Sequence, residues 1–231
     1  MRRYIWIEEN DPFPPTGMAD RYGILCLGGD LSPERLIDAY SKGIFPWYEE
    51  DQPVIWHCPD PRFVVFPDKV NISKSMRQVL NRKEFTITAD TSFEQVIRAC
   101  AETPRRKQDG TWITPDMIAA YIELHHLGLA HSIEAWKDGR LAGGLYGVSL
   151  GKIFCGESMF ARVSNASKAA FLSLAAVLKE QNFLLIDSQV HTDHVESLGG
   201  ESISRSRYLF LLHEALKHET LKGSWSDFFP R

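Results

Sequence analysis

Glu157, Asp187 and Gln189 are the residues of this sequence whose types and setting could do chemistry. Glu157 interrupts the run FCGESMF, and the other two close the apolar run FLLIDSQV. On an extended chain a spacing of two sends the Asp187 and Gln189 side chains to the same face. A carboxylate beside a carboxamide at the end of a buried strand is costly unless both find partners. The pair therefore marks a candidate site for bringing an amine to a carbonyl. In a purely structural reading, Asp187 caps a neighbouring helix and Glu157 makes a surface ion pair.

Other chemistries leave less trace. There is no phosphate-binding Gly-Lys-Ser/Thr loop, and Cys26, Cys58, Cys100 and Cys155 lie far apart with no zinc-type spacing. Four reduced, mostly buried thiols are expected, with no metal and no cofactor. His191, Asp193 and His194 form the segment HTDH, which suggests a metal only faintly; solvated or capping roles suit it better. His125 and His126 fall near a predicted helix end, where the dipole favours them, and His131 lies just beyond. Asp30 in GGDLSP is read as fixing a turn or cap.

The elements that must position these residues follow from caps and periodicity. Ser32 and Pro33 open a helix whose one side is Leu36, Ile37, Ala39 and Tyr40; Gly43 stops it and Pro46 prevents its resumption. Further helices are predicted at 73–82, 92–102 and 114–126, the last with Thr114 as cap and Pro115 behind it. Residues 130–136 and 141–149, joined by Asp138-Gly139, read as a β-hairpin, followed by a strand at 152–160. A helix over 165–181, a strand over 183–189 and a helix over 206–218 complete the chain. The fold class is α+β. The Pro-, Gly- and aromatic-rich segment 1–62, ending at the turn CPDPR, is expected to form a small N-terminal domain, with 63–231 forming the larger one.

At 231 residues with a formal net charge of −4, the chain can bury a sizeable core but is not the strongly basic protein that coats nucleic acid indiscriminately. Local basic patches remain: Lys74, Arg77, Arg82 and Lys83 around a helix whose apolar side is Met76, Val79 and Leu80, and Arg105, Arg106 and Lys107. A solvated charged face accounts equally for either. No apolar signal core follows Arg2 and Arg3 and no long apolar run occurs, so secretion and membrane spanning are not expected.

The segments LGGDLSPERLIDAYSKGIFPWY, PDPR, GTWIT, AHSIEAW, GGLYG, FCGESMF, NASK, LIDSQV and HVESLGG occur in the order found in the bacterial leucyl/phenylalanyl-tRNA–protein transferases, and the chain resembles that family over nearly its whole length. The resemblance implies transfer of Leu or Phe, and less readily Met, from aminoacyl-tRNA to proteins with N-terminal Arg or Lys, marking them for degradation. It also implies a small N-terminal α/β domain, an acetyltransferase (GNAT)-like C-terminal domain with a mixed sheet, and a cytoplasmic monomer. An aminoacyl ester is already activated, which suits the lack of nucleotide and zinc motifs. The attacking α-amine, with a reference pKa of about 8, needs only a modest proton acceptor and a polarised carbonyl.

By the same resemblance Asp187, Gln189 and Glu157 are the catalytic candidates, with Glu157 also able to attract the cationic side chain of the acceptor. Leu145, Phe154, Met159, Phe171, Leu174 and Ile186 are expected to line the aminoacyl pocket, where thioether and aromatic walls suit both a branched and an aromatic guest. Leu145 stands where methionine can occur in the family. Trp47 and Trp112 are candidates to stack on the terminal adenosine, with Tyr40 and Tyr121 supplying hydroxyls. Lys74, Arg77, Arg82 and Lys83 would meet tRNA phosphates.

Two other readings fit parts of the sequence. A CoA-dependent acyltransferase needs a Q/R-x-x-G-x-G/A turn between strand and helix; the nearest approach, RLAGGL at 140–145, fails at its last position and falls in the predicted hairpin. A non-catalytic tRNA-binding adaptor would need the basic patch but neither Asp187 nor Gln189.

Overall fold

The computed structural model describes residues 4–103 and 112–229. Arg105, Arg106 and Lys107 lie outside the described residues. Four short strands form a first sheet: β1 (Ile5–Ile7), β2 (Ile24–Gly28), β3 (Phe45–Pro46) and β4 (Ile55–His57), in the order β1-β2-β4-β3, with β1 and β2 parallel. Helix α1 (Pro33–Ser41) packs beside it. The Ser32 hydroxyl accepts the Arg35 N–H as predicted, and Leu36, Ala39 and Tyr40 are the buried stripe. Gly43, at φ +75°, ends the helix against Tyr208, whose ring would lie 2.8 Å from an added Cβ.

The second sheet has seven strands: β5 (Arg62–Val65), β6 (Thr86–Ala89), β7 (Ala130–Lys137), β8 (Arg140–Leu150), β9 (Ile153–Ala161), β10 (Leu185–Asp187) and β11 (Glu201–Ile203). Their order is β11-β5-β10-β9-β8-β7-β6, antiparallel except for β9 beside β10. A parallel neighbour needs a crossover, and α5 (Ala166–Glu180) supplies it. The other helices are α2 (Lys74–Asn81), α3 (Phe93–Glu102), α4 (Pro115–His126), α6 (Asp193–Ser197) and α7 (Arg205–Leu216). Among the described residues no helix is long and apolar enough to cross a membrane.

Two buried clusters hold this arrangement. One joins the first sheet and α1 to α3, α4 and α7; the other packs α2 and α5 on the second sheet. Phe171, Leu174 and Leu178 of α5 are all buried, each contributing about 1.5–3 kcal/mol by leaving water. All four cysteines are buried and none is in a disulfide.

The predicted hairpin is present as β7 and β8, its turn made by Asp138 and Gly139, both at positive φ. The predicted helices are present with ends displaced by a residue or two. The strand expected over 183–189 is shorter: β10 stops at Asp187, and Gln189 has φ +63°. The short strands of the first sheet, β5, β6 and β11 were not foreseen, because two to five residues carry too little alternation to read.

Between β8 and β9 the register slips. Gly147 faces Gly156 and Tyr146 faces Ser158, which leaves Glu157 as the extra residue of a β-bulge. Gly147 permits the close approach at this point: an added Cβ would collide with the Cys155 carbonyl and lie 2.6 Å from the Phe154 ring. Gly147→Ala should therefore destabilise the fold by about 1–3 kcal/mol, the range for overpacking. Urea unfolding monitored by tryptophan fluorescence checks this; an unchanged midpoint would show that the bulge accommodates the methyl group.

Candidate active site

The bulge turns Glu157 out of the strand alternation and into a buried hydrogen-bond cluster. Tyr40 from α1 donates its hydroxyl to Oε1 at 2.8 Å, and Tyr121 from α4 donates to Oε2 at 3.2 Å. The Gln189 Nε2 donates to Oε1 at 2.8 Å, and the two tyrosine hydroxyls also bond each other. Burial pushes the Glu157 carboxyl up to about 7, helped by the nearby Asp187 charge and opposed by the hydrogen bonds from Tyr40, Tyr121 and Gln189. Burial, with the Glu157 charge next, holds the phenols of both tyrosines well above their ordinary range. They remain hydrogen-bond donors.

Asp187 has a different environment. Arg62, the first residue of β5, grips it from Nε to Oδ1 at 2.8 Å and from Nη2 to Oδ2 at 2.5 Å. Tyr208 of α7 donates to Oδ2 at 2.7 Å, and the Gln189 main-chain N–H donates to Oδ1 at 2.9 Å. The third arm of the guanidinium, Nη1, donates to the Gly43 carbonyl at 3.1 Å, while the rings of Phe45 and Tyr208 lie 4.7 and 4.4 Å from its centre. Both members of the ion pair are essentially solvent-free, at 1% and 0% exposure.

A cavity of about 670 Å³ opens beside this cluster. It is of the size that takes a small organic group. Leu145, Phe154, Met159, Phe171, Leu174 and Ile186 all line it, and so do Glu157 and Gln189. Trp47, 39% exposed, and the buried Trp112 stand on its wall. Trp47 is steadied by His57, which hydrogen-bonds the Trp47 carbonyl at 3.0 Å and packs on its ring at 5.7 Å; burial lowers the His57 pKa to about 4.

Three sequence expectations are changed by this geometry. Asp187 and Gln189 do not share a strand face, because the left-handed turn at Gln189 sends its carboxamide to Glu157 while Asp187 faces Arg62. Asp187 does not line the cavity; its oxygens are taken up by Arg62, Tyr208 and the Gln189 N–H. Tyr40 and Tyr121 are buried and also outside the lining, with hydroxyls directed at Glu157 rather than open to a nucleoside. Arg62 and Tyr208 were overlooked. The signal for Arg62 was present, a lone cation opening the apolar strand RFVVF.

Lys74, Arg77, Arg82 and Lys83 are exposed on and just after α2, and the α2 face of Met76 and Val79 is buried as expected. The segment RLAGGL lies in β8, away from any strand-to-helix turn. His191, Asp193 and Glu196 bring their ligand-type atoms within 4.8 Å of one another, but all three are exposed and the His191 ring already bonds Glu196.

An apolar recess walled by hydrogen-bonding groups, on a mixed α+β scaffold, is a site built to take an apolar group and hold polar atoms beside it. Comparison with known proteins narrows the class. Residues 64–213 match the family model described as leucyl/phenylalanyl-tRNA protein transferase, and residues 29–60 match that of its N-terminal domain. The transferase of Syntrophus aciditrophicus is 53% identical over 214 residues, covering 93% of this chain and 90% of that protein. That of Myxococcus xanthus is 49% identical over 95% of this chain and 94% of its own. The chain belongs to the leucyl/phenylalanyl-tRNA–protein transferase family. Among solved structures, L-PGS from Bacillus licheniformis aligns over 70% of this chain and 52% of its own with a TM-score of 0.38 and 14% identity, too loose to assign a fold.

The Glu157 cluster makes a prediction independent of activity. By ¹³C NMR on labelled glutamate, one carboxyl should titrate near pH 7 and disappear in Glu157→Gln. Tyr40→Phe or Tyr121→Phe removes a hydrogen bond to the ionised form and should move that titration upward. A resonance titrating in the ordinary glutamate range would show that water reaches the carboxylate.

Proposed function

We propose that the cavity receives the leucyl or phenylalanyl side chain of an aminoacyl-tRNA, less readily methionyl, and that Glu157 and Gln189 present the N-terminal Arg or Lys of an acceptor protein to the ester. The observation that carries this reading is the Glu157–Gln189 hydrogen bond at the wall of an apolar cavity. The activity itself is that of the family to which the chain belongs.

The chemistry is an acyl transfer. The acceptor α-amine attacks the ester carbonyl, a C–N bond forms, the C–O bond to the terminal ribose breaks, and the amine's proton ends on the departing oxygen. The Gln189 carboxamide, held by Glu157 at one end, offers its oxygen to the amine. The Glu157 carboxylate offers a counter-charge to the acceptor cation, and Asp187 orients Gln189 from behind. Trp47 and Trp112 flank the adenosine, each stacking contact contributing about 1–3 kcal/mol. The tRNA body rests on Lys74, Arg77, Arg82 and Lys83, and the marked products are targets for degradation.

The reading includes an acetyltransferase-like core, supported by the antiparallel run β7, β8, β9 followed by α5 and a parallel β10. It places the domain boundary at residue 62, where the chain leaves the first sheet after β4 and enters the second at β5. It has the enzyme work as a monomer in the cytoplasm, where charged tRNA is made.

Purified protein mixed with Phe-tRNA and a peptide beginning with Arg should yield peptide heavier by one phenylalanyl residue in the mass spectrum; no mass change would refute the assignment. The kcat/KM for that peptide should rise with pH through about 7 as Glu157 ionises, and again toward the amine's pKa of about 8. Glu157→Gln should retain only the upper limb. A two-limb profile in that variant would remove Glu157 from acceptor recognition.

Changing Lys74, Arg77, Arg82 and Lys83 together to Ala should weaken donor binding and flatten its salt dependence. Each lost phosphate contact takes about 0.7–0.9 from the slope of log K against log salt. Wild-type affinity and slope in the fourfold variant would place the tRNA elsewhere.

A further inference from the structure

Gln189 holds its position through three hydrogen bonds, one from its side chain and two from its backbone. Its side chain reaches Glu157, but its backbone, at φ +63°, adopts a conformation rare for a residue with a Cβ. Such a conformation persists only where the surroundings over-determine it. Here the main-chain N–H is tied to Asp187 Oδ1 at 2.9 Å, and the Gln189 carbonyl accepts the Phe63 N–H at 3.2 Å. Asp187 can hold that N–H only if its own carboxylate is fixed, and the fixing group is Arg62.

The geometry admits little slack. Both guanidinium edges are in use, two nitrogens on Asp187 and one on the Gly43 carbonyl, with Phe45 and Tyr208 packed at its faces. Gly43 and Phe45 immediately follow α1, the helix that carries Tyr40 to Glu157. Arg62 sets Gln189 through Asp187, and the Gly43 carbonyl is one of the groups that hold the guanidinium in place.

We infer that Arg62 is a positioning residue for acceptor transfer, its planar fork locking Asp187 against the Gln189 N–H so that the carboxamide stays in register with Glu157. This deepens the assignment of Glu157 and Gln189 to the acceptor and rests on it. Lysine cannot substitute, since a point charge cannot make the fork and reach Gly43 at once.

The test uses Arg62→Lys, which keeps the charge and loses the fork, with kinetics separated by substrate. The kcat/KM for an Arg-peptide should fall about 100-fold, as for a reacting group displaced by an ångström, while the KM for Phe-tRNA stays within about twofold. In a Gln189→Ala background the same change should cost less than about threefold, because its route of action is already gone. Equal losses in both backgrounds, or a donor KM that rises in parallel, would overturn the inference. If Arg62→Lys fails to fold, Tyr208→Phe removes one bond to Asp187 at constant shape and should show the same non-additivity with Gln189→Ala at a smaller loss; additivity there counts against it equally. The outcomes are separable: if Gln189→Ala alone leaves acceptor kinetics unchanged, the assignment of Gln189 fails, whereas additive losses on top of an impaired Gln189→Ala defeat only the role of Arg62.

Discussion

Two carboxylates are buried in one cluster, and the site depends on the fact that, among the described residues, only one of them has a counter-charge. Asp187 is neutralised by Arg62, a bidentate pair with its remaining valences filled by Tyr208 and a backbone N–H. Among the described residues Glu157 has only neutral donors. A buried ion pair contributes little net stability, but removing one partner costs about 3–5 kcal/mol because the other is left uncompensated. The pair is thus a rigid fixture, while Glu157 is electrically unfinished. Its carboxyl takes up a proton more readily in the folded chain than at the ordinary value of 4.5, so folding stability falls as pH rises from there to about 7.

This asymmetry also explains why the site is assembled from distant elements. Tyr40, Arg62, Tyr121, Glu157, Asp187 and Tyr208 come from α1, β5, α4, β9, β10 and α7. A carboxylate on a bulge beside a Gly-rich strand can be approached from the side of α1 and α4, and the short β10 ends where Gln189 must turn. The apolar cavity lies between α5 and the strands β8, β9 and β10, so the greasy group and the polar cluster share one wall. The second sheet and α5 shape the pocket, while the first sheet, with Trp47 and His57, provides its rim.

What could be read from the sequence follows from the range of the signals. The hairpin of β7 and β8 and the long helix α5 have sustained periodicity and clear turn residues, and both were legible. The six pocket residues were indicated by the resemblance and spacing, and they do surround one cavity. Nothing local, by contrast, shows that Gln189 turns left-handed, since glutamine has no preference for that conformation. Arg62 and Asp187 are 125 residues apart, and Tyr40 and Glu157 are 117 apart. Type and spacing identified the groups, but only the fold shows that the tyrosine hydroxyls serve Glu157 rather than a nucleoside.

On the assignment of Glu157 proposed above, acceptor binding has a consequence for protons. Burial lifts the Glu157 carboxyl to about 7, so the free enzyme exchanges between its protonated and ionised forms near neutral pH. An arginine or lysine side chain brought beside it favours the ionised form, so binding expels a proton from the cluster. The α-amine on the same residue must also be deprotonated to attack. With Glu157 held ionised by the side chain, and with Asp187 already paired to Arg62, the proton lost by the amine has no favourable resting place among the buried groups. Tyr40 and Tyr121 are pinned well above their ordinary range and cannot take it up as phenolates would. The ammonium's first proton leaves to solvent before attack, and the proton shed as the C–N bond forms goes to the ester oxygen, which becomes basic as its bond to carbon breaks. On the proposed assignment, the charge arrangement that selects a cationic residue leaves the neutral amine's last proton to the departing ribose oxygen.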